Sequence, residues 1–177
     1  MTIVPDQKDW TWVLSRPCPE CRFDAASNDP STVPGLVRQM LPRWQTVLEQ
    51  KDAAVRPDER TWSALEYGCH VRDVYGIFNE RLKLMLAEDD AQFADWDQDQ
   101  AAIEGDYANQ DPVQVSRELV TAGNKIADAF AAVGRSQWDR TGTRGNGAAF
   151  TMVTFAQYFL HDDVHHLHDV EGNSTSR

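Results

Sequence analysis

The chain has 177 residues, 41% of them hydrophobic and 25% charged, a balance that suits one globular domain with a single core. It carries 28 acidic and 17 basic residues, a formal net charge of -11 at pH 7. Nucleic acid and anionic lipid bind basic surface, so both are disfavoured as partners, and the plain consequence of the acidity is solubility.

No apolar run approaches the ~20 residues that span a bilayer. Residues Met1 to Asp9 lack the basic-then-apolar order of a signal peptide, so a cytoplasmic location is expected. The three cysteines, Cys18, Cys21 and Cys69, are too few for a disulfide framework, and the cytosol would keep them reduced.

The leading segment, residues 1–33, reads as an irregular extension packed on the body. Trp10, Trp12 and Phe23 can pin it there, and Pro5, Pro17, Pro19 and Pro30 argue against a helix. It contains Cys18-Pro19-Glu20-Cys21. A lone Cys-x-x-Cys reads as half a zinc site, a redox pair or two packed small residues, and no second Cys-x-x-Cys exists to complete a four-thiolate site.

Four helical segments follow over 34–171, and a polar, flexible tail is expected over 172–177. The first runs from about Pro34 to Asp52, capped by Ser31 or Thr32, with Leu36, Met40, Trp44, Val47 and Leu48 as its apolar stripe and Pro42 as a kink or restart. The second, about Ser63 to Ala87, opens on Ser63-Ala64-Leu65-Glu66, the Ser-x-x-Glu pattern of a capping box. Asp89, Asp90, Asp95, Asp97 and Asp99 form an acidic connector. The third starts at Asp111-Pro112, with Gln114 completing a capping-box pattern, and Gly134 can end it. A Gly- and Thr-rich loop leads to the fourth helix, about Ala149 to Val170. The expected fold is all-α: a four-helix bundle of up-down type, with a crossover connection as the alternative.

All five histidines fall on two of these helices: His70 on the second, and His161, His165, His166 and His168 on the last. At ~100° per residue, His70 projects among Tyr67, Val74, Ile77 and Phe78, inside the apolar arc. An imidazole placed there needs a partner, whether a tyrosine, a carbonyl or a metal. The last helix offers two overlapping i, i+4 pairs, each able to grip one ion. Asp162 and His166 project among Met152, Phe155, Phe159 and Val170. His161 and His165 project, with His168, beside Thr154, Gln157 and Tyr158, which reads as a solvated face. Phase therefore favours His70, Asp162 and His166 as metal ligands, with His161 and His165 as the alternative register. His161, His165 or Asp169 could then orient a ligand ring through its second nitrogen. Three ligands leave coordination positions open, which suits chemistry better than a purely structural site. Imidazole and carboxylate ligands make zinc or nickel the first expectations for the metal.

The segments Leu65-Glu66-Tyr67-Gly68-Cys69-His70-Val71-Arg72-Asp73 and His161-Asp162-Asp163-Val164-His165-His166-Leu167-His168-Asp169-Val170 resemble the second- and fourth-helix motifs of the DinB-like superfamily. That superfamily includes mycothiol-dependent maleylpyruvate isomerases and bacillithiol or mycothiol S-transferases. The resemblance covers about Pro34 to Val170. It implies a metal-binding four-helix bundle in which one histidine of the second helix joins a His/Glu-x-x-x-His pair on the fourth. His166-Leu167-His168-Asp169-Val170 fits the spacing after the last ligand, and Asp162 then stands where relatives have His or Glu.

What the resemblance implies about activity is a low-molecular-weight thiol, such as mycothiol, activated by the metal for attack on a small electrophile. Arg72, Arg81, Arg140 and Arg144 are candidate anchors for a carboxylated substrate. Metal-assisted hydrolysis, with Glu66 or Asp169 as base, is the alternative, and a non-enzymatic metal-binding or interaction protein is a third reading. A small-molecule substrate and a homodimer are the expected partners. Cys69 projects away from the apolar arc and is not expected to act as a nucleophile.

Overall fold

The computed structural model describes residues 9–174; Pro5 and the end of the tail, 175–177, lie outside them. Five α-helices and a three-stranded sheet make up the body: α1 (Val33–Leu48), α2 (Ala64–Ala87), β1 (Ala91–Phe93), α3 (Gln98–Glu104), α4 (Pro112–Ala131), β2 (Thr141–Arg144), β3 (Ala149–Thr151) and α5 (Met152–Ser174). Among the described residues, no helix is long and apolar enough to cross a membrane.

The four long helices form the bundle. α4 packs against both α1 and α2, and α5 closes the other side against the same two helices. The order around the bundle is therefore α1, α4, α2, α5, and chain-consecutive α1 and α2 lie largely across a diagonal. This departs from a simple up-and-down ring and matches the crossover alternative. The core is dense in large side chains: Trp44, Tyr75, Phe130, Phe155 and Phe159 are all at most 2% exposed.

The capping box at α2 is formed as its sequence requires. The Ser63 hydroxyl accepts from the Glu66 amide, and the Glu66 carboxylate accepts from the Ser63 amide at 2.8 Å. Asp111 caps α4 by accepting from the Val113 amide, while Gln114 turns outward to Glu118 instead of back to the cap. α1 continues through Pro42, because burial of Met40, Leu41, Trp44 and Val47 on either side outweighs a proline's ~3 kcal/mol cost. α5 begins later than its pattern suggests and runs through Gly172 to Ser174.

The fold is not purely all-α. β1 lies in the acidic connector and pairs in parallel with β2, which pairs antiparallel with β3. Residues Ala149–Thr151, read from the sequence as the start of the last helix, are β3. Strands of three or four residues are too short to show a period of two. Their placement is enforced by packing: a Cβ on Gly142 would lie 2.7 Å from the Phe93 ring and 2.9 Å from Met85. Gly147, at φ 91°, makes the turn between β2 and β3.

The leading segment lies along α5. A short 3-10 helix, Trp10–Leu14, buries Val13, and Gln157 on α5 donates to the carbonyls of Ala26 and Asn28 at 3.1 and 3.0 Å.

Candidate metal centre

α2 begins at its capping box, and His70 lies on the second turn, 1% exposed. Trp96 stacks on its ring at 5.4 Å, and Trp62 lies tilted to it at 5.5 Å. On α5, the rotation of the helix is set by Asp163. Its fully buried carboxylate accepts from Trp44 of α1 at 3.1 Å and from the Tyr75 hydroxyl of α2 at 2.7 Å. With Asp163 pinned inward, its neighbour Asp162 and the residue one turn on, His166, face His70.

His70, Asp162 and His166 each offer a ligand atom, and these atoms all lie within 4.8 Å of one another. Asp162 is 3.9 Å from His70 Nε2 through Oδ2 and 3.7 Å from His166 Nε2 through Oδ1. The His70 and His166 rings meet edge to face at 4.7 Å. Both nitrogens of His70, Oδ2 of Asp162 and Nδ1 of His166 are buried and make no hydrogen bond. Buried polar atoms without partners cost about 1–3 kcal/mol each, so a cluster of four needs an explanation. A divalent cation fits, because it would take two imidazole nitrogens and one carboxylate oxygen from facing helices.

Electrostatics suit His70 as a ligand, whereas Asp162 and His166 are shifted toward their protonated forms and a bound cation would displace those protons. Burial, followed by the neighbouring His166, holds His70 well below its usual range, so it is the neutral imidazole that a metal requires. Burial also raises Asp162. Burial opposes protonation of His166, but Asp162 and Asp169 outweigh it and raise its pKa. Asp169 Oδ2 sits 3.5 Å from His166 Nδ1, placed to orient that ring.

The cluster forms part of the wall of a cavity of about 540 Å³. Asp162 and His166 face it together with Trp10, Trp62, Tyr67 and Tyr158, and Arg60 contributes a cationic edge.

Other sequence-derived candidates have different employment. Glu66 is tied up by the capping box and by a bidentate ion pair with Arg56, so it is not a free base. Arg72 is held by Asp73, Gln110 and Glu118, and Arg81 by the Ala94 carbonyl. Arg140 bonds the Met85 carbonyl and Asp89, and Arg144 pairs with Asp95. None of these arginines lines the cavity. Cys69 is fully buried in the core, with burial pushing its thiol up to about 12, which removes it as a nucleophile for a different reason than its helical phase suggested.

His161 and His165 do not converge with His70. They form a separate group with Cys18 and Cys21, on the side of α5 covered by the leading segment. Their face is not solvated: His161 is 3% exposed and His165 6%. His168, the third member of that projected face, remains half exposed.

Sequence reasoning did not single out Asp163, Trp62, Trp96 or Arg60. For Asp163 a signal existed, since Phe159, Leu160, Leu167 and Val170 surround it in projection and a carboxylate among them must have donors.

A helical bundle bearing an inward-facing imidazole and carboxylate cluster on two facing helices defines the class of bundle-type metal proteins. Comparison with known families narrows this: the DinB superfamily matches residues 36–170, and the chain belongs to that superfamily. Among solved structures, the chain is similar to YfiT from Bacillus subtilis, described as a probable metal-dependent hydrolase with an unusual four-helix bundle topology. The two are 16% identical, with a TM-score of 0.66 over 98% of this chain and 93% of that one, a likeness of fold. No curated protein matches the chain.

Proposed function

We propose that the protein is a metal-dependent enzyme in which His70, Asp162 and His166 hold a divalent cation, zinc or nickel, at the wall of the cavity and act on a small molecule bound there. The observation that carries this reading is the convergence of unpartnered ligand atoms beside an open cavity. Once bound, the cation supplies a Lewis acid that depresses the pKa of a nucleophile taking up an open position.

A low-molecular-weight thiol is the favoured nucleophile. A thiol ionises near ~8.5 and needs only modest help, whereas water starts near ~15.7. The two carboxylates expected to serve as bases are engaged elsewhere: Glu66 with Arg56 and its cap, Asp169 with His165 and His166. His70, buried and neutral, contributes an uncharged ligand, so the three side chains cancel only part of a dication's charge. The aromatic walls, Trp10, Trp62, Tyr67 and Tyr158, offer faces to an apolar electrophile. Arg60 at the rim replaces the four arginines named from sequence as the anchor for an anionic group.

Hydrolysis stands second, supported by the description of YfiT and by the equal fitness of open positions for water. The deciding experiment mixes the metal-loaded protein with an electrophile, such as a haloalkyl fluorophore, with and without mycothiol. Thiol-dependent conjugation lost in His70→Ala and His166→Ala is the expected result. Turnover of an ester or amide without thiol would overturn it in favour of hydrolysis, and a metal content in both variants equal to that of the wild type would remove the site itself.

A further inference from the structure

The second cluster on α5 differs from the first in having two thiols where the first has a carboxylate. Cys18 and Cys21 come from the leading segment, and His161 and His165 from α5, more than a hundred residues away in sequence. All four ligand atoms lie within 4.8 Å of one another. Cys18 Sγ is 3.6 Å from His165 Nδ1, and Cys21 Sγ is 3.7 Å from His161 Nε2. A tetrahedron with Zn–S bonds of ~2.3 Å and Zn–N bonds of ~2.0 Å has S···N edges of about 3.5 Å. The side chains therefore stand almost at the spacing that one zinc ion would impose.

We propose that Cys18, Cys21, His161 and His165 bind one zinc ion in a closed, four-coordinate structural site that fastens the leading segment to α5. The Cys-x-x-Cys and His-x-x-x-His spacings are those of two-thiolate, two-imidazole zinc sites, and this donor set selects zinc over harder cations. All three cysteines are free thiols, and three of the four ligands are buried. The surroundings complete the site. His165 Nε2, the nitrogen turned away from Cys18, has Glu20 at 3.5 Å and Asp169 at 3.7 Å, the carboxylate partners that fix a ligating imidazole. Trp10 packs against both rings, tilted to His161 at 5.7 Å and edge-on to His165 at 4.9 Å. The cysteine loop is itself pinned: the Cys18 amide donates to the Phe23 carbonyl and the Arg22 amide to the Cys18 carbonyl, both at 2.9 Å.

With four protein ligands the ion has no position for substrate, so this site takes no direct part in the proposed chemistry. Its role is to hold the Trp10 wall and Glu20 at the rim of the cavity, which both line.

Cobalt substitution of the full chain separates the two sites, because thiolate ligands alone give sulfur-to-cobalt charge-transfer absorption. That band, with intense tetrahedral ligand-field bands, is expected in the wild type and in His70→Ala/His166→Ala, and is lost in Cys18→Ser/Cys21→Ser. Zinc content should be one per chain in His70→Ala/His166→Ala and zero when Cys18→Ser/Cys21→Ser is added. If the serine variants do not fold, a mercurial thiol reagent on the wild type must release one zinc per chain. No zinc released by that reagent, a Cys18–Cys21 disulfide in protein purified under reducing conditions, or charge-transfer absorption that survives Cys18→Ser/Cys21→Ser would each overturn the proposal.

Discussion

The two clusters on α5 use the same spacing, four residues, offset by a single position. Asp162 and His166 look toward α2; His161 and His165 look toward the leading segment. One residue is ~100° of helix rotation, so two i, i+4 pairs on consecutive positions address two different neighbours. The first group offers three ligands, one carboxylate and two imidazoles, which leaves positions open; the second offers four, two thiols and two imidazoles, although His161 and His165 border the same cavity. The difference teaches that a histidine-rich segment need not be one site in two registers. It can be two sites back to back, and the composition of the partner element decides what each becomes.

The sharpest way to break this comparison is to remove one site and ask whether the other survives. His70→Ala or His166→Ala should lower metal-dependent turnover by at least ~100-fold, since even partners outside the ligand set cost 10–100-fold, while leaving thiolate-bound zinc in place by elemental analysis. Loss of all metal from His70→Ala would show that the clusters are not independent. Asp169 should couple them, because it lies 3.5 Å from His166 Nδ1 and 3.7 Å from His165 Nε2. Asp169→Asn is expected to weaken metal binding about 10-fold at the cavity site, with a smaller loss at the other, measured by competition with a chromophoric chelator.

Tyr75→Phe removes a donor from the buried Asp163 and should cost about 1–3 kcal/mol in denaturant unfolding, with a parallel loss of cavity-site affinity as the rotation of α5 loosens. Unchanged affinity at reduced stability would separate the lock from the site. Smallest is Glu66→Gln, about 1–2 kcal/mol at pH 7. Burial alone would raise Glu66, but Arg56 and the Ser63 cap outweigh it and hold the carboxyl below its usual value. A carboxyl depressed in the folded state contributes stability above its unfolded pKa of ~4.3 and loses it as pH falls through the folded value. The gap between wild type and variant should therefore close below about pH 4, as followed by urea midpoints across pH.

Much of this architecture is legible in the sequence. The long helices announce themselves through caps and stripes: Ser63 with Glu66, Asp111 with Pro112, and the run from Met40 to Leu48. Phase grouped Asp162 and His166 with His70, and their ligand atoms do converge, but it read His161 and His165 as solvated when they are the more buried pair. The sheet was not legible, since β1 pairs with a strand some fifty positions away and every strand, the local β2–β3 hairpin included, is too short to carry a period. The partner of His161 and His165 was hidden for a related reason. Helical phase reports which way a side chain points, but not that an irregular segment more than a hundred residues upstream will fold over it. The Cys-x-x-Cys and the His-x-x-x-His were each visible, and only tertiary folding makes them one object.

The small sheet also changes what α2 and α5 are mechanically. β1 follows directly from the end of α2, and β3 leads directly into α5, so the sheet joins the two helices at the end remote from His70 and His166. The pair is riveted at the sheet, with His70 near the far end of α2 and with Asp162 at the middle of α5 and His166 one turn beyond it. An ion gripped there would add a second clasp beside the Tyr75–Asp163 hydrogen bond, and its release would leave that bond and the core to hold the helices beyond the sheet. Amide exchange in the metal-free protein should then grade along both helices, slowest beside the sheet and fastest at the far ends.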